Sequence, residues 1–235
     1  RQTCCKPDCT SMRTFFNAVA AIAWKDLRAE FRSRQLISAM AFFALLAVLI
    51  FYFTLDAQRE AQLLALPSIL WVIVVFAGTL GLNRSLAAEH DSGSLDALLL
   101  APIPRASLFY GKLIGTWLFT LIVAIVAMFM LSLLFNAALF LPQFWLVLLL
   151  GTIGFATIGT LLGSIAVQAS GRETTLPILI VPVTLPIVMS AVRATTAILS
   201  NAPLVDWLPW LITLASIDAL FLALAFVLFD FIVEE

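Results

Sequence analysis

The chain predicts an all-α polytopic membrane protein, with six transmembrane helices, an N-terminal interfacial amphipathic helix and one short cytoplasmic helix between the second and third spans. Three observations carry that prediction. Hydrophobic residues fill 63% of 235 positions and charged ones 11%, against roughly 25% charged in a soluble domain, so the chain lacks the side chains to clothe itself in water. Between Lys112 and Arg172 there is no Asp, Glu, Lys, Arg or His. About 20 apolar residues cross the hydrocarbon, so this stretch crosses twice, turning between Asn136 and Gln143. Further apolar runs of similar length stand on either side of it.

The elements follow in order. Residues 1–12 read as a disordered tail holding all three cysteines, Cys4, Cys5 and Cys9. A metal site there lacks a fourth ligand, because the single histidine, His90, lies far along the chain. The rest, 13–235, reads as one transmembrane domain. In 13–34, Phe16, Val19, Ala20, Ala23, Trp24, Leu27 and Phe31 recur at three- and four-residue intervals, with Lys25, Arg28, Glu30, Arg32 and Arg34 mostly off that stripe. Such a helix either lies in the headgroup boundary or buries its stripe against other helices; its place just before a span favours the boundary. The first apolar run follows a long charged segment, so no cleavable signal peptide is expected.

Spans are predicted at about 36–55, 64–83, 113–135, 144–168, 174–192 and 207–233. The fourth carries Gly151, Gly154, Gly159 and Gly163, the last two a GxxxG pair that marks a closely packed face. The fifth contains Pro177, Pro182 and Pro186, each removing a backbone donor, so a kink or break is expected there. Asp218 has two readings. In a helix starting near Trp207 it falls near mid-membrane, where a carboxylate is costly and usually functional. If 203–215 is a short re-entrant segment, Asp218 instead caps the final helix near the outer surface, which avoids the desolvation cost and is the favoured reading.

Lys and Arg counts set the orientation. Seven lie before the first span (Arg1, Lys6, Arg13, Lys25, Arg28, Arg32, Arg34), three in the loop after the second (Arg84, Arg105, Lys112) and one after the fourth (Arg172). The opposite side holds only Arg59 and Arg193. Both termini are therefore expected in the cytoplasm. Net charge near zero gives no indication of nucleic-acid binding.

The loop 84–112 is the longest cytoplasmic connection. Ser94 is placed to cap a short helix with Asp96 in its first turn, Leu95, Leu98 and Leu99 on one face, and Pro102 and Pro104 as a stop. An apolar face of this kind suits either a groove on a soluble partner or the bundle itself. The run Glu89-His90-Asp91-Ser92-Gly93-Ser94-Leu95-Asp96-Ala97-Leu98-Leu99, followed by Ala101-Pro102, resembles the E-x-(D/E)-x-G-(S/T)-L-(D/E)-x-L-L…P element of ABC-2-type permeases. From about Trp24 to Glu235 the chain most resembles the cytochrome c maturation permeases, the heme exporter protein B (CcmB) family. Asp26-Leu27-Arg28 with Arg32, Ile69-Leu70-Trp71, Leu82-Asn83-Arg84, Gly151 to Gly163, Leu176-Pro177 to Pro186, and Asp218-Ala219-Leu220-Phe221 to Glu234-Glu235 carry the likeness.

The resemblance implies an ABC-2-like permease in the cytoplasmic (inner) membrane, with 84–112 as its coupling loop. It also implies a separate cytoplasmic ATPase (component A of the system), membrane components C and D, and a periplasmic heme chaperone, component E. ATP acts through the partner, heme is the candidate substrate, and no cofactor is bound directly. ATP hydrolysis then drives either heme export or release of the heme-loaded chaperone. The second membrane half is either another copy of this chain or a different protein. The chain has no G-x-x-x-x-G-K-(S/T) loop of its own. Met128, Met130 and Met189 lie in spans but read as packing filler rather than heme ligands. An intramembrane enzyme is disfavoured, since the spans hold no histidine and at most one buried acid. The alternative function is an ABC-2-type exporter of a lipid, polysaccharide or drug.

Overall fold

The computed structural model describes residues 10–33, 35–55, 59–91, 105–166 and 172–232, and over these the chain is helical. The helices are α1 (Thr10–Ser33), α2 (Gln35–Thr54), α3 (Arg59–Asp91), α4 (Arg105–Phe135), α5 (Pro142–Ala166), α6 (Arg172–Leu199) and α7 (Leu204–Ile232). Six contain apolar stretches long enough to cross a bilayer: Leu36–Thr54, Ala61–Ser85, Ser107–Phe135, Pro142–Ser164, Ile178–Leu199 and Leu204–Phe226. The protein is thus a multi-pass membrane protein with the expected number of spans. Crossings alternate in direction, so the junctions 92–104 and 167–171 fall at the same end of the bundle as α1. That end is called the α1 end below.

Three boundaries differ from the sequence expectation. Residues 84–91 and 105–112, read as loop, continue α3 and α4. Helix formers such as Leu86, Ala87, Ala88 and Glu89 carry the backbone on after hydropathy falls, because charge ends a span without ending a helix. The fifth span does not stop near 192 but runs to Leu199. Arg193 therefore sits within α6, on its exposed surface, where a long side chain reaches toward the interface. Thirdly, α7 is a single helix from Leu204, with no re-entrant segment before Asp218. Breaking a helix inside lipid strands backbone donors and acceptors at every broken turn, and that outweighs the cost of placing one carboxyl group in the interior.

Helices α3, α4 and α5 form the centre. Helix α3 packs on α2, α4, α5 and α6, and α5 packs on α3, α4, α6 and α7. Side chains such as Trp71, Met128, Leu131, Phe144 and Leu148 fill the space between them. Helices α2 and α7 lie at opposite margins. In α5, 72% of the apolar stretch is buried, against 22% in α2 and 17% in α7, so most residues of the marginal helices lie outside the packed interior of this chain.

Two junctions at the end opposite α1 close in the same way. Asn136 after α4 and Asn201 after α6 adopt positive φ, 48° and 54°. The following N–H groups turn back on the helix: Ala137 donates to the Ser132 carbonyl at 3.2 Å, and Ala202 to the Ala197 carbonyl at 3.0 Å. This is the Schellman closure, with Asn tolerating the left-handed position. At the α1 end, the Glu30 carboxylate accepts the Leu36 and Ile37 N–H groups at 2.7 and 2.9 Å. It satisfies donors at the start of α2 and places negative charge at the positive end of that helix. Replacing Glu30 by Ala is expected to cost about 1–2 kcal/mol, with Gln costing less, as read from thermal unfolding in detergent.

Candidate functional site

The predicted coupling segment is carried on two helix ends. Helix α3 continues from Ser85, where its apolar stretch ends, to Asp91, about 9 Å further at 1.5 Å per residue. Helix α4 starts at Arg105, just before its apolar stretch opens at Ser107. Glu89, His90 and Asp91 belong to the last turn of α3. Carboxylates there stand at the negative end of the helix dipole, a position eased by a cationic neighbour. Gly93, Ser94, Leu95, Asp96, Leu98, Leu99 and Pro102 lie outside the described residues, as do Cys4, Cys5 and Cys9.

Helix α1 grips the start of α4. A Cβ at Gly111 would stand 2.7 Å from the Ile22 Cβ and 3.2 Å from the Val19 carbonyl oxygen, and one at Gly115 would meet the Asp26 side chain at 3.7–3.8 Å. The two glycines are one turn apart and form the groove in which α1 lies. The stripe read from the sequence is accordingly divided. Of its members Val19 and Ala23 are buried, joined by Ile22 from outside the stripe, while Ala20 is exposed and Trp24 is 67% exposed. Close packing into a glycine groove gives the first set more contacts than a headgroup layer would, and the aromatic ring stays outside. Beside this contact Asp26, Ser85, Lys112 and Thr116 line a cavity of about 20 Å³, room for one water.

Asp218 stands where the marginal helix α7 packs on α5 and α6. It is 3% exposed and shares one face of α7 with Leu214 and Ala225, both fully buried. Across from it α5 carries Gly154, where a Cβ would collide with the Asp218 carboxyl group and come within 2.8 Å of the Ile187 Cδ1 on α6. Neither Asp218 oxygen has a hydrogen-bond partner among the described residues. From Leu204 the carboxyl group lies 14 residues along α7, or about 21 Å. The cap at the outer surface is thereby corrected to a carboxyl group deep in the helix bundle.

The other glycines of α5 serve as seats for side chains. A Cβ at Gly151 would collide with the Trp71 ring, and one at Gly159 with Leu82; Gly163 is buried. The Trp71 indole N–H donates to Thr195 Oγ1 at 3.2 Å, and that of Trp117 to Thr152 Oγ1 at 3.1 Å. Pro177, Pro182 and Pro186 all lie within the uninterrupted α6, with Pro182 and Pro186 on its exposed side. There a missing N–H faces away from the core. Met128 is packed in the core and Met189 faces outward, so the two are not gathered around a common point.

Sequence reasoning did not find the Glu30 cap, the Gly111–Gly115 groove or the pairing of Gly154 with Asp218. The groove had a signal in the G-x-x-x-G spacing at 111–115. The Asp218 seat had one too, since Trp207, Leu211, Leu214 and Asp218 repeat at helical intervals.

Comparison with known proteins adds the following. The family model described as CcmB protein matches residues 17–230. The chain is 29% identical over 212 residues to heme exporter protein B of Pseudomonas aeruginosa, covering 88% of this chain and 92% of that one. It is 30% identical over 171 residues to heme exporter protein B of Rhodobacter capsulatus, 71% of this chain and 77% of the relative. To heme exporter protein B of Paracoccus denitrificans it is 31% identical over 193 residues, 80% and 84% of the two chains.

Proposed function

The chain belongs to the CcmB protein family, and from that premise we propose that it is the membrane subunit of an ABC transporter for cytochrome c biogenesis. A partner ATPase drives it, and its work is heme export or the release of a heme-loaded chaperone. The relatives' shared name, heme exporter protein B, supports heme as the cargo. Membrane components C and D and chaperone E are the further partners, and the assembly sits in the inner membrane with both termini of this chain in the cytoplasm.

The observation that carries the proposal is the mounting of 92–104. Helix α3 runs six residues past its apolar stretch, α4 begins two residues before its own, and the chain joining these two ends includes the sequence Ser92-Gly93-Ser94-Leu95-Asp96-Ala97-Leu98-Leu99. Displacement of a segment tied to two continuous helix ends acts on both helices. Seated on α1 through Gly111 and Gly115, the start of α4 moves with α1. A pull on 92–104 by the ATPase therefore reaches α3, α4 and α1 together. In this reading Glu89 and Asp91 face basic groups of the partner, Leu95, Leu98 and Leu99 fill its groove, and Pro102 ends the inserted helix. The glycines of α5 and the prolines of α6 belong to the part of the bundle that is rearranged.

A photo-crosslinking amino acid at position 95, in cells that also make the cognate ATPase, tests the docking. The expected product is a covalent adduct with the nucleotide-binding protein. The same probe at Phe53, at the opposite end, is expected to give none. Equal adducts from both positions, or none from position 95, would remove the docking assignment.

A further inference from the structure

We propose that Asp218 is a proton-binding site at the contact of α7 with α5 and α6, holding a proton while α7 lies against Gly154 of α5 and yielding it to water when that seat opens. The geometry of the seat leads there. The carboxyl group is 3% exposed and both oxygens lack a donor among the described residues. The room it occupies exists because Gly154 has no Cβ, and Ile187 closes it from α6. A carboxylate ion in such a place would carry a full charge in hydrocarbon-like surroundings with nothing to balance it, a state that intramembrane acids avoid by pairing or by facing water.

Along the helices packed against α7, the ionisable residues stand away from Asp218 in the sequence. Helix α5 has no Asp, Glu, Lys, Arg or His between Pro142 and Ala166. On α4 the ionisable groups are Arg105, Tyr110 and Lys112, all at the α1 end. On α6, Arg172 and Glu173 stand at that same end, and Arg193 is exposed, about 9 Å beyond Ile187 along the axis. On α7 itself, Asp206 is exposed in the first turn and Asp230 lies three turns past Asp218. Among the described residues, the counter-charge left for the Asp218 oxygens is a proton bonded to one of them.

Release balances simply. The carboxyl O–H bond breaks, its electron pair stays on the oxygen, and the proton passes to a water molecule that enters as α7 withdraws from Gly154. Return of α7 reverses the transfer. Opening this part of the bundle is then a proton-release event, whatever drives it. The inference uses this chain alone and stands apart from the docking of an ATPase.

Infrared spectroscopy of the full chain in proteoliposomes tests it at neutral pH, where exposed acids are ionised. The wild type is expected to show the C=O stretch of one protonated carboxyl group, and Asp218→Asn to lose that band. Gly159→Ala, which crowds Leu82 but not the carboxyl group, is expected to keep it. Gly154→Ala places a methyl group where the Asp218 oxygen stands and is expected to weaken the band and make it sensitive to bulk pH. Should Gly154→Ala not fold, Ile187→Ala opens the same seat to water from the other side, with the same expected effect. A wild-type spectrum showing only carboxylate bands would overturn proton binding. An undiminished, pH-insensitive band in the folded seat variant would overturn the link to helix separation.

Discussion

With Leu98 and Leu99 both replaced by Asp, the cognate ATPase is expected to disappear from the purified complex while the chain still inserts and folds. In the sequence both positions fall between the apolar stretches Ala61–Ser85 and Ser107–Phe135, so the double substitution leaves the six stretches themselves unaltered. If the two side chains fill a groove on the partner, each contributes about 1.5–3 kcal/mol through burial. Aspartate would add the cost of desolvating a charge against that groove. A combined loss above about 4 kcal/mol weakens association roughly a thousandfold, beyond what survives washing during purification. ATP turnover by the recovered material is expected to fall with it, whereas Leu99→Met, close in volume, is expected to keep most of both. Normal ATPase recovery with the double variant would refute the docking role of this face.

The number of spans could be read because hydropathy over about 20 residues is a local property that lipid enforces. What the sequence hid depends on where helices end and on what lies across from each residue. Arg84 to Asp91 carries enough charge to leave the hydrocarbon, and hydropathy alone cannot distinguish a helix leaving the membrane from a loop. Arg193 was assigned to a loop for the same reason. Asp218 was moved to a helix end to avoid a desolvation cost, but no local signal shows that Gly154, 64 residues earlier, clears a seat for it. The small residues of α5 suggest a crowded face in the sequence, yet not its form. Gly151, Gly154 and Gly159 each face a side chain, those of Trp71, Asp218 and Leu82, where a G-x-x-x-G pair suggests backbone meeting backbone.

Trp71 gives the largest stability effect expected within the membrane. Its ring is 1% exposed, stands over Gly151 of α5, and donates to Thr195 of α6, so one side chain on α3 ties two further helices. Trp71→Ala empties the volume of an indole at a contact of three helices and is expected to cost about 3–5 kcal/mol, measured by unfolding from detergent micelles. The hydrogen bond is a small part of that. Interhelical bonds of this type in membranes average about 0.6 kcal/mol, so Trp71→Phe and Thr195→Val should each cost about 1 kcal/mol. Together they should cost less than their sum, because both remove the same bond. Gly151→Ala separates packing from bonding most sharply. In the parent protein the added methyl group collides with the Trp71 ring and destabilises the fold; in the Trp71→Ala background it enters the vacated space and restores part of the loss. If Gly151→Ala is equally harmful in both backgrounds, the glycine answers to some other neighbour, and the three-helix tie through Trp71 is not what holds this part of the bundle.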